Sequence, residues 1–307
     1  MPSTVAWLFP GQGSQQFGMG RDLAERYPAA ARVFDEANAA LGWDLRRLCW
    51  EGPAAELDLT ANAQPAIVAT SVAALRAALD AGLARGDPLC LGHSVGEYSA
   101  LVAAGALDLA NALRLVRRRG ELMQAATSEG GMAAVLGLDA DAIERAIAGA
   151  GAVVANDNAP GQVVISGPLD AIASSTHALR AAGAKRVVPL RVSGAFHSPA
   201  MRAVAPDLRR AIDAVALREL RYSVVANVDA TPHDRARDFP DLLERQVWSP
   251  VLWVASIRRA AELGATTFIE FGAGNVLTGL VKRILPHART ANVSDAATLS
   301  ATLAIFR

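Results

Sequence analysis

Short apolar runs alternate along the chain with longer segments whose apolar residues recur every three or four positions. Residues 5–10 and 88–94 read as buried strands, because each run is brief and ends at glycine or proline. Helical spacing predicts helices over residues 20–41, 64–83, 97–107 and 109–127. Strands that alternate with helices in this way favour a parallel sheet that is covered on both faces.

The order of elements changes after Gly130-Gly131. It becomes strand 132–138, helix 139–151, strands 152–158 and 162–167, helix 168–183 and strand 184–193. This order is typical of a ferredoxin-like unit. The larger pattern then resumes with a helix over 199–214, a strand over 222–228, helices over 239–247 and 250–263, a strand over 266–272 and a final helix. We therefore predict an α/β protein with a large domain, residues 1–129 and 194–307, and an inserted ferredoxin-like domain, residues 130–193.

Composition limits the classes of partner. The 307 residues are 52% apolar, which is enough for one large core and a smaller one. The 30 basic residues balance the 30 acidic ones, so no global charge favours nucleic acid or an anionic membrane. No apolar stretch reaches the roughly 20 residues of a membrane span, and the N-terminus is too briefly apolar for a signal peptide. With only Cys49 and Cys90, we expect a cytoplasmic protein without a metal site.

The segment Gly92-His93-Ser94-Val95-Gly96 follows an apolar strand and precedes a predicted helix. Glycines two positions before and after a serine let strand and helix approach closely, as in a nucleophile elbow. The hydroxyl of Ser94 then stands at the carboxyl end of a strand, where the helix N-terminus favours developing negative charge. A small solvent-facing glycine turn is the alternative, but the strand-turn-helix context favours a nucleophile.

A serine hydroxyl needs a neighbouring base, and the chain has five histidines. We expect His93 to support the turn, and His177, His233 and His287 to lie in exposed surroundings. By elimination, His197 is the candidate base.

Six segments together resemble the malonyl-CoA:acyl carrier protein transacylases, which include the acyltransferase domains of fatty-acid and polyketide synthases. They are LFPGQGSQ (8–15), GHSVGEYSALVAAGAL (92–107), VRRRGELMQ (116–124), GQVVISG (161–167), AFHSPAM (195–201) and GAGNVLTGLVKRI (272–284). The resemblance implies a hydrolase-like large domain with a ferredoxin-like insertion, acting as a monomer without a bound cofactor. It implies a ping-pong reaction in which Ser94 carries a malonyl group from malonyl-CoA to the phosphopantetheine thiol of acyl carrier protein.

The resemblance also implies roles for individual residues. His197 is the base, the backbone N–H groups of Gln12 and Val95 bind the oxyanion, and Arg119 binds the malonyl carboxylate. The backbone carbonyl of Leu252 orients the histidine. The resemblance also implies a group of further pocket residues, namely Phe196, His93, Gln64, Asn156 and Asn158. The alternative for the two asparagines is that they form a turn.

Three other interpretations remain open at this point. Leu252 stands where bacterial members commonly have glutamine, which leaves room for a discrete trans-acting acyltransferase of a polyketide pathway. An acyl-thioester hydrolase would use the same Ser94 and His197, although Arg119 argues for transfer. A scaffold without catalytic activity would be expected to lack an intact serine–histidine pair.

An acidic carrier protein would dock on basic residues, for which Arg117, Arg118 and Lys185–Arg186 are candidates.

Overall fold

The computed structural model describes residues 5–84, 86–126 and 130–306. In these residues the strands are β1 Val5–Phe9, β2 Leu89–Gly92, β3 Gly130–Leu136, β4 Val153–Ala159, β5 Gln162–Pro168, β6 Arg186–Pro189, β7 Val224–Val225, β8 Pro232–His233, β9 Thr267–Phe271 and β10 Arg289–Val293. The α-helices are α1 Arg21–Arg26, α2 Pro28–Leu41, α3 Leu45–Glu51, α4 Ala54–Leu57, α5 Thr60–Asp80, α6 Gly96–Ala103, α7 Leu109–Ala125, α8 Ala140–Ala146, α9 Leu169–Ala181, α10 Ala205–Asp213, α11 Phe239–Gln246, α12 Trp253–Glu262, α13 Val276–Ile284 and α14 Ala296–Ala304. Short 3₁₀ helices cover Pro199–Val204 and Ala236–Asp238.

The larger sheet has the strand order β10-β9-β1-β2-β7-β8, and only β8 runs antiparallel to its neighbour. Helices pack on both faces of its central strand β1. Alternate side chains of this strand point to opposite faces and enter two different cores. Trp7 and Phe9 belong to one apolar core with α2, α5 and α7, whereas Ala6 and Leu8 belong to a second core with α12 and α13. The predicted parallel sheet, covered on both faces, is confirmed.

The smaller sheet is antiparallel, with the strand order β4-β5-β3-β6. Helices α8 and α9 contribute Ile143 and Leu179 to a core on one of its faces. Met132 and Val164, on the other face, join the core of the larger sheet. The predicted ferredoxin-like order of elements is therefore present. The residue limits of the two domains stay a prediction, and residues 127–129, where one limit falls, lie outside the described part of the chain.

The edge strand β4 of the smaller sheet is bridged to Val251, in the segment between α11 and α12. The backbone of Val251 donates to the Ala155 carbonyl at 2.9 Å and accepts from the Asp157 amide at 3.0 Å. This bridge holds the small sheet against the segment between α11 and α12, which also contributes to the candidate site described below.

Several boundaries differ from the sequence prediction for local reasons. The helix predicted over 20–41 is divided at Tyr27, whose backbone is extended, as the residue before a proline prefers. The strand predicted over 222–228 is reduced to β7. Strand β10 and helix α14 were not predicted. The sequence of β10, RTANV (residues 289–293), forms a half-buried edge strand without an apolar run. None of the helices in the described residues is long and apolar enough to cross a membrane.

The close approach of β2 and α6 generates a stability prediction. A Cβ atom on Gly92 would lie 2.0 Å from the Gly96 carbonyl group, a contact that backbone must move to relieve. We expect Gly92→Ala to destabilise the fold by about 2–4 kcal/mol, measured as the free energy of unfolding in denaturant. The control is Gly279→Ala in α13, where the new methyl group meets nothing within 4 Å. That helical substitution should be neutral or stabilising; equal losses for the two variants would contradict the prediction.

Candidate active site

Ser94 occupies the sharp turn between β2 and α6 in a strained backbone conformation. Its φ angle is 52°, in the left-handed region that residues other than glycine rarely adopt. A Cβ atom on Gly96 would lie 2.1 Å from the Phe9 carbonyl oxygen, so only glycine permits this packing against the end of β1. The turn thus has the geometry of a nucleophile elbow, with the hydroxyl presented at the carboxyl end of the sheet.

The imidazole of His197 meets this hydroxyl from a distant part of the chain. Ser94 Oγ and His197 Nε2 are 2.7 Å apart, although 103 residues separate them in sequence. His197 also has a positive φ, 55°, and its backbone N–H donates to the Val247 carbonyl at 3.1 Å. Both partners are therefore held in unusual backbone conformations that their surroundings impose.

Two backbone carbonyls determine which ring nitrogen of His197 carries the proton. His197 Nδ1 lies 2.9 Å from the Gln246 carbonyl oxygen and 3.1 Å from the Ser249 carbonyl oxygen. Carbonyl oxygens only accept hydrogen bonds, so Nδ1 must carry the proton. Nε2 then presents its lone pair to the Ser94 hydroxyl, as a general base requires.

The prediction that Leu252 supplies this carbonyl is wrong. Leu252 immediately precedes α12, and its carbonyl oxygen accepts from the backbone N–H of Ser256 at 2.9 Å and from its hydroxyl at 2.8 Å. Gln246 instead ends α11, where the last carbonyls of a helix lack intrahelical donors and remain free to accept from an imidazole.

Burial and charge both keep the imidazole neutral. His197 is 4% exposed, and desolvation together with the nearby positive charge of Arg119 lowers its pKa to about 3. The hydrogen bonds to Gln246 and Ser249 act in the opposite direction but are the smaller effect. The ring is therefore in its basic form throughout the neutral pH range.

Arg119 places a buried cation beside the nucleophile. The side chain projects from α7 and is 1% exposed, and its Nη2 lies 3.3 Å from Ser94 Oγ. Nη1 donates to Gln64 Oε1 at 2.9 Å and Nη2 donates to Gln246 Oε1 at 3.0 Å. Amide oxygens orient this guanidinium without neutralising it, so the site is prepared for an anionic group. Desolvation lowers the pKa of Arg119.

Of the predicted pocket residues, Asn156 and Asn158 lie where they were expected, whereas Gln64 lies behind the cavity rather than in its lining. Gln64 is fully buried and holds Arg119 in place. Asn156 and Asn158 line the cavity from strand β4, so the alternative that they form a turn is wrong. Asn158 Oδ1 lies 2.8 Å from His93 Nε2, which ties the turn before Ser94 to the small sheet.

One cavity joins these groups. Its volume is about 460 Å³, and its lining includes Gln12, Val95, Phe196 and both members of the Ser94–His197 pair. The cavity thus brings together the two residues whose backbone N–H groups are predicted to bind an oxyanion. Their donation to a reacting substrate stays a prediction.

Sequence reasoning missed three polar residues behind Ser94. Asn227 Oδ1 accepts from the Ser94 N–H at 2.7 Å, while its Nδ2 donates to the Gly92 carbonyl at 2.6 Å. Gln246 Nε2 donates to the Ser94 carbonyl at 3.0 Å and to Glu97 Oε2 at 2.8 Å. Asn227 follows β7, the neighbour of β2 in the sheet. A polar residue just after this apolar run was the feature of the sequence that could have pointed to Asn227 as a site residue. Nothing in the sequence marks Gln246.

A serine hydroxyl in a strained turn is hydrogen-bonded to a neutral imidazole and lies beside a buried guanidinium, which is the arrangement of an α/β enzyme with a candidate serine nucleophile. The chain belongs to the acyl transferase domain family, whose profile matches residues 6–301.

Individual relatives cover nearly the whole chain. The malonyl CoA-acyl carrier protein transacylase of Bacillus subtilis (strain 168) is 45% identical over 304 residues, which span 97% of this chain and 95% of that protein. An acyl carrier protein S-malonyltransferase from Vibrio cholerae O1 biovar eltor superposes with a TM-score of 0.94 at 40% identity, covering 98% of this chain and 100% of that one. A malonyl-transacylase solved in complex with a type II polyketide synthase acyl-carrier protein gives a TM-score of 0.95 at 41% identity, covering 99% and 100%.

The low pKa of His197 generates a pH prediction. A group that titrates near pH 3 stays basic on acidification, so acylation of Ser94 by p-nitrophenyl acetate, followed by intact mass, should change less than about twofold between pH 8 and pH 5. An imidazole with the ordinary pKa of about 6.5 would lose about 30-fold over that range.

Arg119→Ala removes one cause of the lowered pKa and should move the acid limb of this profile to higher pH. A wild-type midpoint near pH 6.5, or an unmoved limb in the variant, would contradict this explanation.

Proposed function

We propose that this protein transfers a malonyl group from malonyl-CoA to the phosphopantetheine thiol of an acyl carrier protein. The observation that carries the proposal is the buried guanidinium of Arg119, whose Nη2 lies 3.3 Å from Ser94 Oγ. Malonyl thioesters carry a carboxylate a short distance beyond the carbonyl that the serine attacks. A neutral acyl group would leave this desolvated cation without an anionic partner. The names of the relatives, malonyl transferases with acyl carrier protein, support the same substrates.

In the first half-reaction, Ser94 Oγ attacks the thioester carbonyl of malonyl-CoA while its proton passes to His197 Nε2. The backbone N–H groups of Gln12 and Val95 bind the oxyanion of the tetrahedral intermediate. The intermediate then collapses, the carbon–sulfur bond breaks, and the imidazolium protonates the departing coenzyme A thiolate. Malonyl is left on Ser94 as an ester.

In the second half-reaction, the phosphopantetheine thiol of the carrier protein enters the position that coenzyme A has left. His197 Nε2 takes the thiol proton, and the sulfur attacks the malonyl ester. The new thioester forms as the serine oxygen leaves and recovers its proton from the imidazolium. Arg119 holds the malonyl carboxylate in both steps, so the acyl group keeps its orientation while the thiols exchange.

The carrier protein is acidic in this proposal, and Arg191 is the basic residue best placed to meet it. Arg191 is exposed and lines the cavity that contains Ser94. By contrast, Arg117, one of the residues predicted to form the docking patch, pairs with Glu121 at 2.7 Å and with Asn62. We further propose that the enzyme works as a monomer in the cytoplasm, where its two buried free cysteines, Cys49 and Cys90, suit a reducing environment.

Intact mass spectrometry tests the reaction directly. Mixed with malonyl-CoA alone, the protein should gain one malonyl group on Ser94 and lose it when holo acyl carrier protein is added. His197→Ala should remove labelling at neutral pH, whereas His177→Ala, at an exposed position on α9, should label normally. Rapid release of free malonate without carrier protein would indicate a hydrolase, and normal labelling of His197→Ala would remove that residue as the base.

Acyl selectivity tests the role of Arg119. Arg119→Ala should slow acylation by malonyl-CoA about 100-fold or more, because the carboxylate loses its charged hydrogen bonds, and acylation by acetyl-CoA by less than about tenfold. Arg118→Ala, on the same helix with its side chain 49% exposed, is the matched control and should leave both rates unchanged. Equal losses with the two acyl donors would exclude carboxylate binding by Arg119.

A further inference from the structure

A buried carboxylate lies directly behind the elbow. Glu97 is in the first turn of α6 and has no exposed surface. Its Oε2 accepts from the backbone N–H of Asn227 at 3.0 Å and from Gln246 Nε2 at 2.8 Å. No arginine or lysine in the described residues lies within ion-pair distance of it, although the positive charge of Arg119 acts to lower the pKa of this carboxyl.

The two donors belong to residues that hold the reacting groups. The Asn227 side chain spans the elbow, accepting from the Ser94 N–H at 2.7 Å and donating to the Gly92 carbonyl at 2.6 Å. Gln246 contacts three members of the site, namely Ser94 through its Nε2, Arg119 through its Oε1 and His197 through its backbone carbonyl. Glu97 is thus hydrogen-bonded to both residues that organise the site.

The contact between Glu97 and Gln246 is one of three that orient the Gln246 amide. A carboxylate oxygen accepts hydrogen bonds, so it attracts the NH₂ group of the amide and places that group also on the Ser94 carbonyl. The oxygen of the same amide is then left facing Arg119, which can only donate. The Ser94 carbonyl and Arg119 favour the same orientation, so loss of the acceptor at Glu97 removes one of the three contacts that hold it. The opposite orientation would set an NH₂ group against the guanidinium, donor against donor.

We propose that Glu97 is a positioning residue that helps to set the orientation of the Gln246 amide, and through it the placement of Arg119 and His197 around Ser94. The inference rests on the proposed function for the identity of the acyl group. The essential property is an acceptor atom at the position of Oε2, because that single oxygen receives both hydrogen bonds. The charge of Glu97 is not required.

The second carboxyl oxygen of Glu97 supports the view that the acceptor atom, and not the charge, is essential. Glu97 Oε1 has no hydrogen-bond partner among the described residues, so a proton on that atom would leave both contacts of Oε2 intact. Burial raises the pKa of the Glu97 carboxyl to about 7, while the hydrogen bonds from Gln246 and Asn227 lower it to a smaller extent. Glutamine can reproduce this state, since its amide oxygen can occupy the Oε2 position.

Another buried carboxylate shows the contrast. Glu270, near the end of β9, accepts from the backbone N–H groups of Leu277 and Thr278, at 3.1 and 2.8 Å. Those donors have fixed directions, so Glu270 closes the start of α13 without choosing between two orientations of an amide. Glu97 differs because one of its partners can rotate by half a turn and exchange its donor and acceptor.

Two conservative variants separate the acceptor from the charge. Glu97→Gln keeps the reach of the side chain and removes the charge, whereas Glu97→Asp keeps the charge and withdraws the oxygen by one methylene group. We expect Glu97→Gln to acylate from malonyl-CoA within about threefold of wild type, and Glu97→Asp to be slower by about ten- to hundredfold, as for a misplacement of about 1 Å.

The ratio of malonyl to acetyl acylation rates is the second readout. In Glu97→Asp this ratio should fall by about fivefold or more, because Arg119 loses its correctly oriented acceptor. Ser99→Ala is the control on the same helix, since Ser99 is fully buried and its Oγ has no hydrogen-bond partner in the described residues. It should leave rates and ratio unchanged. Thermal unfolding of each variant monitors folding.

Each other outcome overturns the inference. Loss of acylation activity in Glu97→Gln would show that the charge is needed. Full acylation activity in Glu97→Asp would show that the position of the acceptor atom does not matter. Slower acylation in Glu97→Asp with an unchanged malonyl-to-acetyl ratio would assign Glu97 a purely structural role. Failure of the wild type to form any malonyl adduct would instead contradict the proposed function.

Discussion

The site depends on one hydrogen bond, the 2.7 Å contact between Ser94 Oγ and His197 Nε2. It joins two segments that lie far apart in sequence, and each partner holds a left-handed backbone conformation. Such conformations cost roughly 1–3 kcal/mol each and persist only where the surrounding structure imposes them. The larger sheet supplies that constraint for Ser94 by forcing β2 and α6 together at glycine, and the segment after α11 supplies it for His197.

The histidine is oriented by peptide groups rather than by a carboxylate. The carbonyls of Gln246, the last residue of α11, and of Ser249, just beyond the helix, fix its tautomer. The partial negative charge at a helix C-terminus favours the imidazolium that forms when Ser94 gives up its proton. No second ionised side chain therefore needs to be buried behind the base. Desolvation, together with the positive charge of Arg119, keeps the resting ring neutral. An anion bound to Arg119 would offset that charge and strengthen the base when the substrate is present.

The sequence made some of these features predictable and concealed others. Ser94 was predictable because glycine spacing at a strand end has a steric cause, and the two sheets were predictable from the order of apolar runs. The carbonyl that orients His197 was assigned wrongly to Leu252, because every residue carries a carbonyl and only the fold decides which one faces the imidazole ring. Gln246 and Glu97 were missed for a related reason, since their value lies in the direction of an amide and a carboxylate that meet only after folding.

The buried guanidinium has a consequence for inhibition. Because Arg119 is desolvated during folding and oriented by Gln64 and Gln246, the resting cavity already holds a cation that is oriented to receive a carboxylate. Free malonate, the by-product of any accidental hydrolysis, would occupy the same position as the acyl tail and compete with the thioester. Since the chain has no net charge, this attraction is confined to the cavity interior, where salt in the medium screens it poorly.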